Sequence, residues 1–211
     1  MKPKTLGTIA VVSLALVLDT AAWGAPDKLK DPAKLVAKAP ETFKARFDTT
    51  QGTIVIEVHR AWSPNGADRF YNLVKNGYYD GVKFFRVVPG FVVQWGIHGD
   101  PSIANTWLKA SIPDDAVKGS NTRGFVTYAK TGAPNSRSVQ LFINLGDNSR
   151  LDGDGFAPFG QVIEGMDVVD KLYGGYGQGL TKLQGRIAEE GNAFLEKNYP
   201  LLDGIKKAAI E

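Results

Sequence analysis

Phe84-Phe85-Arg86-Val87-Val88-Pro89-Gly90-Phe91-Val92-Val93-Gln94 is the stretch on which the reading of this chain turns. Valines and phenylalanines on both sides of Pro89-Gly90 read as two short strands, Val82 to Val88 and Gly90 to Gln94, separated by turn-forming residues. Two polar groups interrupt this apolar run. An arginine inside an apolar strand is costly to bury unless it is paired, and Gln94 adds a second hydrogen-bonding group. Taken alone, the pattern points to a salt-bridged structural arginine.

Upstream, Ile54, Ile56 and Val58 alternate with less apolar neighbours, and the runs on either side of Gln51-Gly52 make Arg46 to His59 a hairpin candidate. Ser63-Pro64 is a capping residue followed by a proline suited to a first helical turn. Ala67, Phe70, Tyr71 and Val74 then recur at helical spacing before Gly77. Downstream, Gly124 to Ala129 and Gln140 to Asn144 read as further strands. Glu164 to Leu172 and Ala188 to Lys197 read as helices, and Ile205 to Ile210 as a returning strand. Many short strands with few helices point to a closed antiparallel barrel or a sandwich, with helices over the open ends.

The 211 residues, 43% hydrophobic and 22% charged, fit one globular domain plus terminal extensions. A formal charge of +3 without a long basic run gives little basis for a nucleic-acid surface. The absence of cysteine excludes disulfides, thiolate zinc sites and cysteine nucleophiles. Lys2 and Lys4 precede an apolar stretch from Leu6 to Leu18. Ala22-Trp23-Gly24 then places small residues at a cleavage site before Ala25, so residues 1–24 read as a signal peptide. The mature chain is expected to be periplasmic or secreted, without stable membrane insertion. Residues 25–44 read as a flexible lead-in and residues 45–211 as the domain.

Other chemistry finds little support. The GGYGQG run at Gly174 to Gly179 lacks the setting of a dinucleotide loop and reads as a flexible turn. Asp152-Gly153-Asp154-Gly155 reads as a tight turn, because Phe156 and Ile163 fall where a calcium loop needs ligands. His59 and His98 have no partner at metal-ligand spacing, and no GxSxG elbow occurs. No metal site is expected.

The block from Phe84 to Gln94 resembles the cyclophilin signature FHRVIPGFMxQGGD, with arginine, proline, glycine, phenylalanine and glutamine in register. Further blocks are similar in order: Gly124-Phe125-Val126-Thr127-Tyr128-Ala129-Lys130, Pro134-Asn135-Ser136 with Gln140-Leu141-Phe142-Ile143-Asn144, Leu151-Asp152-Gly153 with Pro158-Phe159-Gly160, and Glu164-Gly165-Met166-Asp167-Val168-Val169. The resemblance covers residues 46–173 and fades beyond Tyr173. It implies a closed eight-stranded antiparallel barrel capped by two helices, with an extra C-terminal helical segment. It also implies peptidyl-prolyl cis/trans isomerisation of proline-containing segments in exported, folding polypeptides, by a monomer without a cofactor.

On this resemblance Arg86 is the catalytic donor and Gln94 orients it. Phe91, Phe142 and Leu151 form the proline pocket, with Val92 where the family commonly has methionine. Ala129, Lys130 and Gln140 line the groove for residues preceding proline, Lys130 mainly through its backbone, and Phe156 fills the place of a histidine often found near the pocket. Phe85 stands where histidine is frequent, and Arg150 stands where many members carry tryptophan, a change that bears on cyclosporin sensitivity. The family's QGGD is expanded to Gln94-Trp95-Gly96-Ile97-His98-Gly99-Asp100, and Ile103 to Pro113 lacks the usual glycine-rich loop. These departures motivate a second expectation, a module that captures proline segments without turnover. A third, a small-ligand barrel unrelated to proline, has the ordered motif blocks against it.

Overall fold

A computed structural model of the chain describes residues 27–211. The signal peptide expected over residues 1–24 lies outside the described residues. Eight strands form one sheet: β1 (Thr42–Thr49), β2 (Thr53–His59), β3 (Arg86–Val88), β4 (Val92–Trp95), β5 (Phe125–Tyr128), β6 (Leu141–Asn144), β7 (Pro158–Glu164) and β8 (Ile205–Ile210). Their spatial order is β3-β4-β6-β5-β7-β2-β1-β8, and every neighbouring pair is antiparallel. The helices are α1 (Pro64–Lys75), α2 (Pro101–Leu108), α3 (Arg150–Gly153), α4 (Met166–Asp170) and α5 (Gln184–Asn198).

The closed barrel expected from the resemblance is corrected to an open half-barrel. Edge strands β3 and β8 share no ladder. A bridge between Lys83 and Gly204 spans the gap just before β3, with Phe84 N–H donating to the Asp203 carbonyl at 3.0 Å and Ile205 N–H to that of Val82 at 2.8 Å. The reason is local. β3 has only three residues, and the 3-10 turn Gly179–Leu183 lies beside it, covering an edge that would otherwise be open to pairing.

The expected pair of capping helices also needs revision, because α2 occupies the stretch after Gln94 where only an altered loop was expected. Its start carries a legible signal: Asp100 Oδ1 accepts from Ser102 N–H at 2.7 Å, and Pro101 takes the first turn. At α1 the expected cap works differently. Ser63 makes no side-chain cap to its own helix; its hydroxyl donates to Asp115 Oδ2 at 2.6 Å, and Asp115 accepts from the first helical N–H groups, at 3.2 Å from Asn65 and 3.0 Å from Gly66.

Strand alternation divides the sheet into two faces. Val87, Val93, Val126 and Ile143 turn into the main core with Phe47, Ile56 and the α1 residues Phe70 and Leu73. A second, smaller core gathers Phe85, Ile97 and Ala104 with Leu180, Ile187, Phe194, Leu195 and Leu202. Gly191 interrupts α5 with φ 64°, and the backbone of Gly99 passes so close that no side chain fits there. Asn192 N–H donates to the Gly99 carbonyl at 2.9 Å, tying α5 to the start of α2.

The lead-in lies against the domain. Leu29 is buried and its carbonyl accepts from Trp107 Nε1 at 2.7 Å, while Asn72 Nδ2 donates to the Ala37 carbonyl at 2.7 Å. Among the described residues no helix is long and apolar enough to cross a membrane.

Candidate functional site

The site begins with a turn. Val88-Pro89-Gly90-Phe91 closes with Phe91 N–H donating to the Val88 carbonyl at 2.9 Å, and Gly90 takes φ 73°. Proline followed by a glycine of positive φ is what a type II turn requires. That turn sets the β3–β4 register so that Arg86 stands opposite Gln94. Across the next ladders Gln94 pairs with Phe142 and Phe142 with Thr127. Arg86, Gln94 and Phe142 therefore share the face that looks away from the main core.

Arg86 has no ion pair among the described residues, so the salt-bridged arginine suggested by pattern alone is not what forms. Its Nη1 donates to Gln94 Oε1 at 2.9 Å and its Nη2 to Gln178 Oε1 at 2.9 Å. Gln94, only 6% exposed, donates from Nε2 to Gln140 Oε1 at 2.9 Å, and Gln140 Nε2 donates to Gln184 Oε1 at 2.9 Å. Neutral amides thus hold the guanidinium without neutralising it. Burial draws its pKa below the ordinary arginine value, yet a guanidinium starts so high that it stays charged at neutral pH. Arg86 Nε is buried with no hydrogen-bond partner among the described residues.

A cavity of about 260 Å³ opens beside this arginine, lined by Arg86, Phe91, Val92, Gln94, Ala129, Lys130, Phe142, Leu151, Phe156, Thr181 and Gln184. Gln140 lines an adjoining cavity of about 290 Å³ that shares Gln94, Ala129, Lys130 and Gln184. Every residue that the resemblance assigns to the site lines one or the other of these cavities. Phe91 is fixed through its backbone, its carbonyl accepting from Leu145 N–H at 2.8 Å and Asn148 Nδ2 at 2.9 Å. Phe142 and Phe156 meet edge to face at 5.9 Å. The helical turn carrying Leu151 is anchored by Asp152, whose carboxylate accepts from Asn121 N–H at 2.9 Å and from Ser120 Oγ at 2.5 Å.

Three cations lie against the aromatic rings of the site. Arg150 Cζ lies 5.0 Å from the Phe91 ring centre, with Arg86 Cζ 5.3 Å from the same ring, and Lys130 Nζ lies 5.5 Å from that of Phe156. Lys130, expected to act mainly through its backbone, therefore also brings its ammonium to the rim.

Sequence reasoning missed Gln178, Thr181 and Gln184, all from the region after Tyr173 that was left without a role. Their signal was weak. The glycines of GGYGQG were read as a turn, and the structure does turn there, with Gly177 N–H donating to the Gly174 carbonyl at 2.9 Å; what the glycines do not reveal is where the turn docks.

Chemically, the site offers a fixed positive charge, amide groups and a small apolar cavity, with no nucleophile poised beside a base among the described residues. A family model described as cyclophilin type peptidyl-prolyl cis-trans isomerase/CLD matches residues 44–189. The peptidyl-prolyl cis-trans isomerase of Acinetobacter baylyi is 40% identical over 129 residues, spanning 59% of this chain and 68% of that protein. Peptidyl-prolyl cis-trans isomerase B of Escherichia coli is 37% identical over 136 residues, spanning 61% of this chain and 82% of that one. The crystal structure of a Cryptosporidium parvum cyclophilin type isomerase shares the fold with a TM-score of 0.58 at 21% identity, over 81% of this chain and 98% of its own.

Proposed function

The chain belongs to the cyclophilin-type peptidyl-prolyl cis-trans isomerase family, and from that membership we propose that it accelerates rotation about X-Pro bonds in exported polypeptides, with Arg86 as the catalytic residue. The observation that carries the assignment of Arg86 is its charge, held by amides beside an aromatic cavity.

Rotation about the peptide bond faces a barrier of about 18–20 kcal/mol because the nitrogen lone pair is shared with the carbonyl. At a quarter turn that sharing is lost and the lone pair localises on nitrogen. A donor aimed there binds the twisted state better than either planar one. Arg86 supplies such a donor, and Gln94 fixes the plane of its fork. Phe91, Phe142, Leu151 and Phe156 hold the proline ring, with Val92 in the same cavity wall, while the carbonyl side turns. Ala129, Lys130 and Gln140 meet the residues before proline. The pocket works by position and charge alone.

The reading is tested by NMR exchange on a short Ala-Pro peptide. The wild type is expected to accelerate exchange, and Arg86→Ala to lower kcat/KM by about 10²–10³-fold. No acceleration by the wild type, or full activity in Arg86→Ala, overturns it. A second reading, capture without turnover, draws on Gln178 already occupying Arg86 Nη2. It predicts binding of the peptide with no change in its exchange rate. Export rests on the sequence of residues 1–25, and fractionation of expressing cells tests it: full-length precursor retained in the cytoplasm counts against it.

A further inference from the structure

Thr181 and Gln184 belong to the stretch after Tyr173, yet they stand in the wall of the cavity that holds Arg86. Thr181 lies in the 3-10 turn Gly179–Leu183 that leads into α5. Its hydroxyl is buried and has no hydrogen-bond partner among the described residues, the same condition as Arg86 Nε. The backbone of Thr181 is occupied: its N–H donates to the Gln178 carbonyl at 3.0 Å and its carbonyl accepts from Gln184 Nε2 at 3.2 Å. Only the side-chain oxygen is idle. A buried hydroxyl without a partner destabilises a fold unless something from outside the chain completes it. Valine, with the same shape and no polar atom, would serve a purely internal role better.

The chemistry of the ligand identifies the missing partner. Proline has no N–H, so an X-Pro segment entering this cavity presents carbonyl oxygens on both sides of the ring, and an idle hydroxyl can donate to one of them. We propose that Thr181 is a substrate-binding residue of this site, its Oγ–H donating to a backbone carbonyl of the X-Pro segment. The inference rests on the isomerase reading above and deepens it, because it gives the chain beyond Tyr173 a direct part in recognising peptide.

The test compares wild type, Thr181→Val and Thr181→Ser on an Ala-Pro tetrapeptide, measuring kcat and KM by NMR exchange, Kd by NMR titration and Tm by thermal melting. Thr181→Val is expected to raise Kd and KM about five- to tenfold, the loss of one hydrogen bond, while its Tm stays level or rises. Thr181→Ser, which keeps the hydroxyl, is expected to stay within about twofold of wild type. Wild-type Kd and KM in Thr181→Val overturn the proposal and indicate that only a trapped water meets the hydroxyl. Equal damage in both variants, or a Tm loss parallel to the affinity loss, overturns it in favour of packing. A wild type that binds the peptide without accelerating exchange defeats the isomerase reading alone, and the Kd comparison still decides for or against Thr181. A wild type that neither binds nor accelerates overturns both.

Discussion

Arg86 stands in the chain between Phe85 of one core and Val87 of the other, and the two cores are built in different ways. The main core takes residues from Leu29 to Ala208 and is organised by strand register, so its composition follows from alternation along the sheet and from one face of α1. The smaller core joins Phe85, Ile97 and Ala104 to a stretch between Leu180 and Leu202, and is organised by α2 lying against α5. One sets the row Arg86–Gln94–Phe142; the other sets the wall that carries Thr181 and Gln184. Chemistry and rim are therefore fixed by separate packing problems. The rim can change while the row stays in register.

The sharpest way to break this division is a pair of cavity mutations. Phe70→Ala is expected to cost about 3–5 kcal/mol and to lower protection from amide exchange throughout the sheet, because it empties the main core. Phe194→Ala is expected to cost somewhat less, about 2–4 kcal/mol, with faster exchange confined to α2 and α5. Uniform acceleration in both variants, followed by hydrogen–deuterium exchange, would merge the two cores into one cooperative unit.

A smaller effect sharpens the boundary. Phe85 is 1% exposed inside the second core, so Phe85→His places a polar ring among apolar neighbours and is expected to cost about 1–3 kcal/mol in urea denaturation. Because Phe85 does not line the cavity, kcat/KM is expected to stay within about threefold of wild type. A loss as large as that of Arg86→Ala would instead make Phe85 part of the chemistry.

The smallest effect depends on pH. Burial lowers the pKa of His98 below its ordinary value of 6.5, with the nearby Asp100 carboxylate pulling more weakly the other way. The folded state then binds fewer protons than the unfolded one. Its stabilising contribution is complete above the unfolded value and is lost as pH falls through the folded value. His98 Nδ1 accepts from the Asp100 N–H at 2.9 Å beside the start of α2, so the second core is expected to loosen first in mild acid. Melting temperatures between about pH 7 and about pH 5 should fall less in His98→Gln than in wild type. Identical slopes would remove His98 from the account.

What could be read from the sequence follows the same boundary. β2 and α1 are visible because Ile54, Ile56 and Val58, and Ala67, Phe70 and Val74, repeat at the period of their element; β1 and the β3–β4 pair show as apolar runs beside Gln51-Gly52 and Pro89-Gly90. The site residues on those strands were carried by the ordered motif blocks. β7 did not show as a strand by alternation. It lies inside the sheet and its burial runs almost unbroken from Pro158 to Val162, with Gly160 opposite Val58. Asp100-Pro101 marks the start of α2, but its eight residues bury only Ile103, Ala104 and Trp107, too short a pattern to declare a helix. α5 was placed only from Ala188 to Lys197, since Gly185 and Gly191 dilute its helical pattern. Ring closure is not legible in the sequence: whether two edge strands pair depends on what else lies beside them, and no local period encodes that. Thr181 and Gln184 could not be found at all, because a loop gives no periodicity from which to tell what it docks against.

The string of amides behind Arg86 has a direction. A guanidinium can only donate, so Gln94 must turn its oxygen toward it. Its amino group then faces Gln140, whose own amino group faces Gln184, which ends on the Thr181 carbonyl. A donor-only cation at the head and an acceptor-only carbonyl at the tail thereby select the same sense for every amide between them. In Arg86→Ala the Thr181 carbonyl still selects that sense from the tail, and Gln94 Oε1 is left without the donor that completed the row. The charge of this arginine is matched, through three side chains, to a carbonyl beside a helix that begins almost a hundred residues further along the chain.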